Sequence, residues 1–178
     1  VGHPDFGELF LCHCRDSSSE GETFARLVRF SNIGPLSRVT FHATADDGIR
    51  TDADSRRLFS DALGSAIAFA ERPTGWLVFT GASGTGKTHL AAAIANKCLG
   101  NGQAVFFAIV PDLLDQLKGT FTFDSPVSYD QLLHQVRNVP ILVLDDLGSQ
   151  TNTPWAQEKL YQLINHRFNL QLPTVIAL

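Results

Sequence analysis

Eight consecutive residues constrain this chain more than any other stretch: Gly81-Ala82-Ser83-Gly84-Thr85-Gly86-Lys87-Thr88 fits G-x-x-x-x-G-K-[ST] without a mismatch. A continuous apolar run at residues 76–80 precedes it, which reads as a fully buried strand. A helical pattern at residues 87–99 follows, with Leu90, Ile94 and Cys98 on one face and Gly100 as its stop. Strand, glycine-rich turn and helix in that order are the context in which such a loop cradles a phosphate. The glycines let the backbone close around the anion, and the loop N–H groups and the helix N-terminus point positive charge at it. Lys87 supplies a point charge for the β and γ phosphates, and Thr88 a hydroxyl for Mg²⁺. The candidate nucleotide-binding set is therefore residues 81–88 with His89 beside them, although a histidine there favours packing between helix and sheet over catalysis.

Such a loop needs a carboxylate at the end of a neighbouring strand to anchor the metal. Residues 141–144 are apolar and run into Asp145 and Asp146. Asp145 would hold Mg²⁺ together with Thr88, usually through water. Asp146 would orient or deprotonate the attacking water and so form the catalytic pair with Lys87. Ring-forming ATPases of this class commonly place a glutamate there. An aspartate, one methylene shorter, predicts slower hydrolysis and suits a nucleotide switch.

The rest of the 178 residues organises around these two motifs. Apolar runs at residues 104–110 and 141–145 alternate with helical patterns at residues 54–71, 111–118 and 128–136 and a helix starting at Thr153-Pro154. Its inner face would carry Leu160, Leu163, Ile164 and Phe168. The helix at residues 54–71 has apolar positions Leu58, Phe59, Ala62, Leu63, Ala66, Ile67 and Ala70 and is closed by Pro73. This alternation implies parallel βαβ units and a three-layer α/β domain. Residues 1–35 read as an irregular lead-in, with a short helix at residues 20–30, and residues 36–178 as the ATPase core. Without a methionine, and ending in the strand-like residues 173–178, the chain reads as a piece of a longer protein, open at both ends.

A net charge of −4 supplies no global basic field, so contact with nucleic acid would have to be local or shared between subunits. No apolar run approaches a membrane span and three cysteines are too few for a disulfide scaffold, so the expectation is a soluble, cytoplasmic protein that makes no membrane contact.

Three classes of phosphate-loop protein compete. Asp145-Asp146-Leu147-Gly148 satisfies the D-x-x-G of GTPases, but the one Asn-Lys pair, Asn96-Lys97, lies inside the helix after the loop and lacks the aspartate of N-K-x-D. A small-molecule kinase would want an arginine-rich lid, and none occurs before Leu178. The third class inserts an extra strand and puts its acidic pair about 58 residues after the lysine, the spacing found here.

Several segments together resemble the DnaC/DnaI-type helicase loaders and the related IstB transposition ATPases. They are residues 75–96, Val110-Pro111-Asp112-Leu113-Leu114, residues 142–148, residues 155–160 and Asn165-His166-Arg167. The similarity spans roughly residues 36–178. It implies an AAA+ P-loop ATPase of the ASCE class that binds ATP and single-stranded DNA and delivers a replicative helicase, or in the second case engages a transposase, with a homo-oligomeric ring as a further expectation. Residues 81–88 then match Walker A, and Asp145 and Asp146 match Walker B. The family's adenine pocket is built partly from the segment at residues 37–41, where Phe41 would flank the base or simply edge the core. The fourth strand usually ends in a polar sensor residue, whereas Ala177-Leu178 stands here. The last strand, the lid domain, the arginine finger and the second sensor lie further on in the family, so the resemblance implies weak hydrolysis in this chain, or a fragment that binds nucleotide without turnover.

Weaker signals remain. Cys12-His13-Cys14, with His3 nearby, suggests zinc, but C-x-C is a poor spacing for a tetrahedral site and no second pair follows. Cys98 reads as a small buried apolar residue. Lys118, Thr120, Phe121 and Phe123 form a basic-aromatic loop able to hold a single strand by stacking and phosphate contact, or else an ordinary charged surface loop. Arg56, Arg57 and Arg167 read as solvated, with a subunit interface as the alternative for Arg167.

Overall fold

The computed structural model describes residues 20–44, 52–120, 128–149 and 153–178. The readings placed on His3, Cys12, His13, Cys14, Phe121 and Phe123 lie outside the described residues.

Four apolar runs pair as one parallel sheet: β1 (Trp76–Phe79), β2 (Val105–Ile109), β3 (Ile141–Asp145) and β4 (Thr174–Ala177). Their order is β1-β4-β3-β2, so the last strand is inserted between the first and the third. Side chains alternate between faces with period two. Val105, Phe107, Ile141, Val143 and Val175 enter one core, and Phe106, Ala108, Leu142, Leu144 and Ile176 the other. Helices α1 (Glu20–Phe30), α2 (Phe41–Thr44), α3 (Ala53–Glu71) and α4 (Lys87–Gly100) cover the first face. Helices α5 (Val110–Gly119), α6 (Tyr129–Asn138) and α7 (Pro154–Asn169) cover the second. The result is a three-layer α/β domain.

Local signals start the helices. Asp52 caps α3 by accepting the Ser55 N–H at 2.7 Å. Ser128 and Gln131 form a reciprocal capping box on α6. Thr153 accepts the Ala156 N–H of α7 at 3.2 Å, with Pro154 in the first turn.

Packing departs from the one-dimensional pattern in five places. α4 is not one-faced: Leu90, Ala91, Ala92, Ala93, Ile94, Ala95, Cys98 and Leu99 are all buried, because α1, α2 and α3 pack on it from outside while the sheet lies beneath. Burial pushes the Cys98 thiol up to about 11, in keeping with its expected apolar role. β1 is not fully buried; it stands at the sheet's edge and Val78 is 47% exposed. On α3 the buried residues are Phe59, Ala66, Phe69 and Ala70, which leaves Leu58 and Ile67 exposed.

The N-terminal stretch is also more than a lead-in from residue 20 onward. The Phe107 N–H donates to the Ser31 carbonyl at 2.7 Å, and the Asn32 amide donates to the Phe107 carbonyl at 3.1 Å. This segment therefore seals the outer edge of β2. Ile33 is buried, and the Asn96 amide on α4 donates to the carbonyls of Leu36 and Val39, each at 2.8 Å. These contacts are long-range, so local periodicity carries no trace of them.

Arg167 is neither solvated nor at a surface. It takes the inner position on α7 with Ala156, Leu160 and Leu163, while Phe168 is 66% exposed. Its Nε donates to Thr174 Oγ1 at 2.9 Å, and Nη1 to the carbonyls of Arg137 at 3.1 Å and Val139 at 2.8 Å. Nη2 donates to the Pro173 carbonyl at 2.6 Å. Burial lowers this guanidinium to about 10. One side chain thus ties together the ends of α6 and α7 and the start of β4.

Candidate nucleotide-binding site

Residues 81–86 leave the carboxyl end of β1 and turn into α4 through backbone only glycine adopts easily: Gly84 has φ of 81° and Gly86, the N-cap of α4, φ of 95°. No side chain caps α4, so its first N–H groups stay directed at the loop's concave side. Lys87 folds its ammonium across the turn and donates to the carbonyls of Gly81 at 2.8 Å and Ala82 at 2.9 Å. Thr85 Oγ1 donates to the Ala82 carbonyl at 2.9 Å, bracing the loop from within. His89 is exposed on the first turn of α4 and does not pack between helix and sheet.

β3 delivers Asp145 to the same place. The first turn of α4 holds Thr88 within 3.0 Å of Asp145, where the hydroxyl donates to Oδ1. Asp145 is 5% exposed, and burial pushes its carboxyl up against the opposing pull of the Thr88 hydrogen bond. A nearby cation would favour the charged form. Thr88 and Asp145 together offer a few hard oxygen donors rather than an all-protein cage. That fits magnesium, which takes one or two protein oxygens and completes its shell with phosphate and water. Among the described residues there is no cluster of three histidine, cysteine or acidic side chains that could hold a metal on its own.

Asp146 leaves the strand in the left-handed region at φ 58°, which aspartate tolerates better than most side chains. Its exposed Oδ2 accepts the Ser149 hydroxyl at 2.6 Å, and the Leu147 N–H donates to the Ala177 carbonyl at 3.0 Å, pinning the turn to β4. The loop, Thr88 and Asp145 therefore meet directly, with Asp146 one residue farther on.

Sequence reasoning missed the wall of this site. A groove of about 550 Å³ runs from the loop along α3 and β1, lined by Leu58, Phe59, Ala62, Leu77 and Phe79 and by Gly81, Ser83, Gly84, Thr85 and Lys87. That size suits a small ligand. Phe41 lies elsewhere, at the margin of the core formed by α3 and α4. The sequence carried no signal for it, since Leu58 reads as one more position of the apolar stripe of α3, whereas in the structure it is exposed and faces the groove.

Lys118 pairs with Asp115 at 3.5 Å and stands 5.4 Å from the centre of the Trp155 ring. Arg56 and Arg57 are exposed on α3. No described helix is long and apolar enough to cross a membrane.

Residues 20–177 match the pattern of the IstB-like ATP binding proteins. The replicative helicase loader DnaC of Escherichia coli strain K12 is 37% identical over 117 residues, which is 64% of this chain and 47% of that protein. The chain thus spans about half the length of the curated relatives it matches. The crystal structure of the DnaC helicase loader superposes with a TM-score of 0.64 at 28% identity, covering 80% of this chain and 77% of the other. That of DnaI gives 0.61 at 26% identity, covering 80% and 72%. The inserted β4, the glycine loop on β1 and the acid-ended β3 are parts of one AAA+ architecture, and the chain belongs to the family of IstB-like ATP binding proteins.

Proposed function

We propose that this chain carries the ATP-binding unit of a helicase-loader-type AAA+ protein, in which ATP with magnesium acts as a switch for engaging a replicative helicase and single-stranded DNA. The observation that carries the reading is the 3.0 Å hydrogen bond from Thr88 to Asp145, which joins two motifs 57 residues apart at one point. The similarity to DnaC favours a helicase over a transposase as the partner.

The triphosphate lies along residues 81–88, where Lys87 exchanges its two loop carbonyls for phosphate oxygens without a change in the fold. The base and sugar extend into the groove beside Leu58, Phe59 and Ala62. Magnesium, when bound, would neutralise charge on the phosphates, and Thr88 and Asp145 are the residues that would hold it. Asp146 orients a water toward the terminal phosphate and accepts its proton as ATP and water become ADP and phosphate. Its short side chain and its bond to Ser149 make this step slow. Residues 36–178 act as the ATPase core in this reading, with the segment from residue 20 packed onto it.

Calorimetric titration with ATP tests the site. Asp145→Asn keeps an oxygen for the Thr88 hydroxyl and removes a buried charge, so thermal stability is unchanged or raised while the magnesium dependence of ATP binding disappears. Magnesium-dependent binding of undiminished strength in Asp145→Asn would overturn the assignment. Co-purification with a hexameric helicase supports the loader reading, and capture of a transposase in its place overturns it.

A further inference from the structure

A second cleft, of about 340 Å³, opens between α6 and α7 and shares no residue with the nucleotide groove. It lies toward the C-terminal ends of these helices, which lead into the amino ends of β3 and β4, so the sheet separates it from the glycine loop. Arg137, Tyr161, Gln162, Asn165, His166 and Asn169 supply its polar lining.

Its charge is one-sided. Arg137 forms no ion pair among the described residues, and its Nε is buried without a hydrogen-bond partner. A guanidinium N–H in that condition is unfavourable, and native proteins keep few such groups unexplained. Arg167 lies behind the cleft with its donors already engaged, so it contributes field rather than contacts. The nearest acid on α7, Glu158, is two turns from His166 and bonds Lys159 and Gln162, while Asp130 sits in the first turn of α6.

His166 is oriented for a role here. The Asn138 amide nitrogen donates to the His134 carbonyl at 2.8 Å, which leaves Asn138 Oδ1 facing His166 Nε2, also at 2.8 Å. Nε2 therefore carries the hydrogen, and Nδ1 is the nitrogen that gains a proton. Burial and the charges of Arg137, Arg167 and His134 hold this imidazole below its usual value. A bound anion would reverse that pressure.

We propose that the α6–α7 cleft binds a phosphate group, with Arg137 from one wall and His166, Asn165 and Asn169 from the other as its donors. Donors on opposite walls suit a tetrahedral oxyanion, whose oxygens point in several directions, better than a carboxylate, whose two oxygens share one edge. Arginine's fork is the side chain best matched to such oxygens. The cleft is larger than one phosphate, which leaves room for the remainder of an ester beside exposed Tyr161. This inference is independent of the nucleotide reading.

The test is an NMR titration of the His166 imidazole in the full chain, with inorganic phosphate against chloride at equal ionic strength. Phosphate raises the His166 pKa saturably, and Arg137→Gln weakens that effect at least about tenfold while ATP affinity stays unchanged. The Arg137 carbonyl, not its side chain, receives the Arg167 bond, so the substitution spares that contact. Should Arg137→Gln fail to fold, Asn165→Asp on the exposed rim places a repelling charge in the cleft and weakens phosphate binding to the same degree. A dT20 oligonucleotide forms the second arm: competition with phosphate identifies a strand backbone as the source, and phosphate binding without competition identifies a small ligand. A His166 shift in phosphate no larger than in chloride, or full phosphate binding by the folded Arg137 or Asn165 variant, would overturn the proposal.

Discussion

Lys87 and Arg167 stand at opposite ends of the same parallel sheet and spend their charge differently. Lys87, half-buried at the carboxyl end, donates to two carbonyls of its own loop, five and six residues away in sequence. Arg167, with no exposed surface at the amino end, donates to four oxygens contributed by the ends of α6 and β4's approach. Lysine can leave its partners for an incoming anion and disturb only one turn. Arginine cannot leave without breaking bonds to the ends of two elements at once. Two basic side chains of similar size therefore divide the work: one end of the sheet is available for chemistry because the other end is locked.

The largest expected effect on stability is at the locked end. Arg167→Met strands the carbonyls of Arg137 and Val139, at about 1–3 kcal/mol each, while the Pro173 carbonyl keeps the Leu142 N–H and Thr174 Oγ1 keeps its bond to Leu172, so urea unfolding should report a loss of at least about 2 kcal/mol. The folded fraction should still bind ATP normally. A loss under about 1 kcal/mol would erase the contrast between the two ends.

Lys87→Ala is the counterpart. It should weaken ATP–magnesium binding by at least about a hundredfold, near 2.7 kcal/mol, in a calorimetric titration while leaving the urea midpoint unmoved. Retained affinity would contradict the role given to the loop.

Asn96→Ala sharpens the comparison from the side of α4, removing the two bonds that hold the carbonyls of Leu36 and Val39. About 1–2 kcal/mol should be lost, with faster amide exchange confined first to residues 31–41.

The smallest effect is a pH dependence at the locked end. His166 has a lowered folded value, because of burial and the charges of Arg137, Arg167 and His134, so the unfolded chain binds its proton more readily. Stability should therefore fall slightly as pH drops below about 6.5, and His166→Asn should remove that slope. A slope unchanged in the variant would assign it to other groups.

What could be read from sequence follows the same division. The glycine loop is contiguous, and its chemistry is fixed by residue type and spacing, so residues 81–88 needed no tertiary information. Asp145 was legible because a phosphate loop needs a carboxylate at the end of a neighbouring strand, and an apolar run here ends in acids. The role of Arg167 was not legible, since an arginine near a helix C-terminus reads as solvated until three chain ends are known to converge on it. Phe168 failed for the linked reason that Arg167 holds the inward position one residue earlier. The groove beside the loop was missed because α3 and β1 are brought to the loop by packing alone, and Phe41, for which a place beside a base and a place at the edge of the core were both open, packs at the core margin.

The seal that Ser31 and Asn32 place on β2 gives the sheet a direction. A further strand meets the N–H and carbonyl of Phe107 already taken on that flank, whereas β1 borders no other strand on its outer side among the described residues. Beside β1, the newcomer's carboxyl or amino end would abut the glycine loop, so an event of sheet extension and an event at the phosphates would be neighbours by construction.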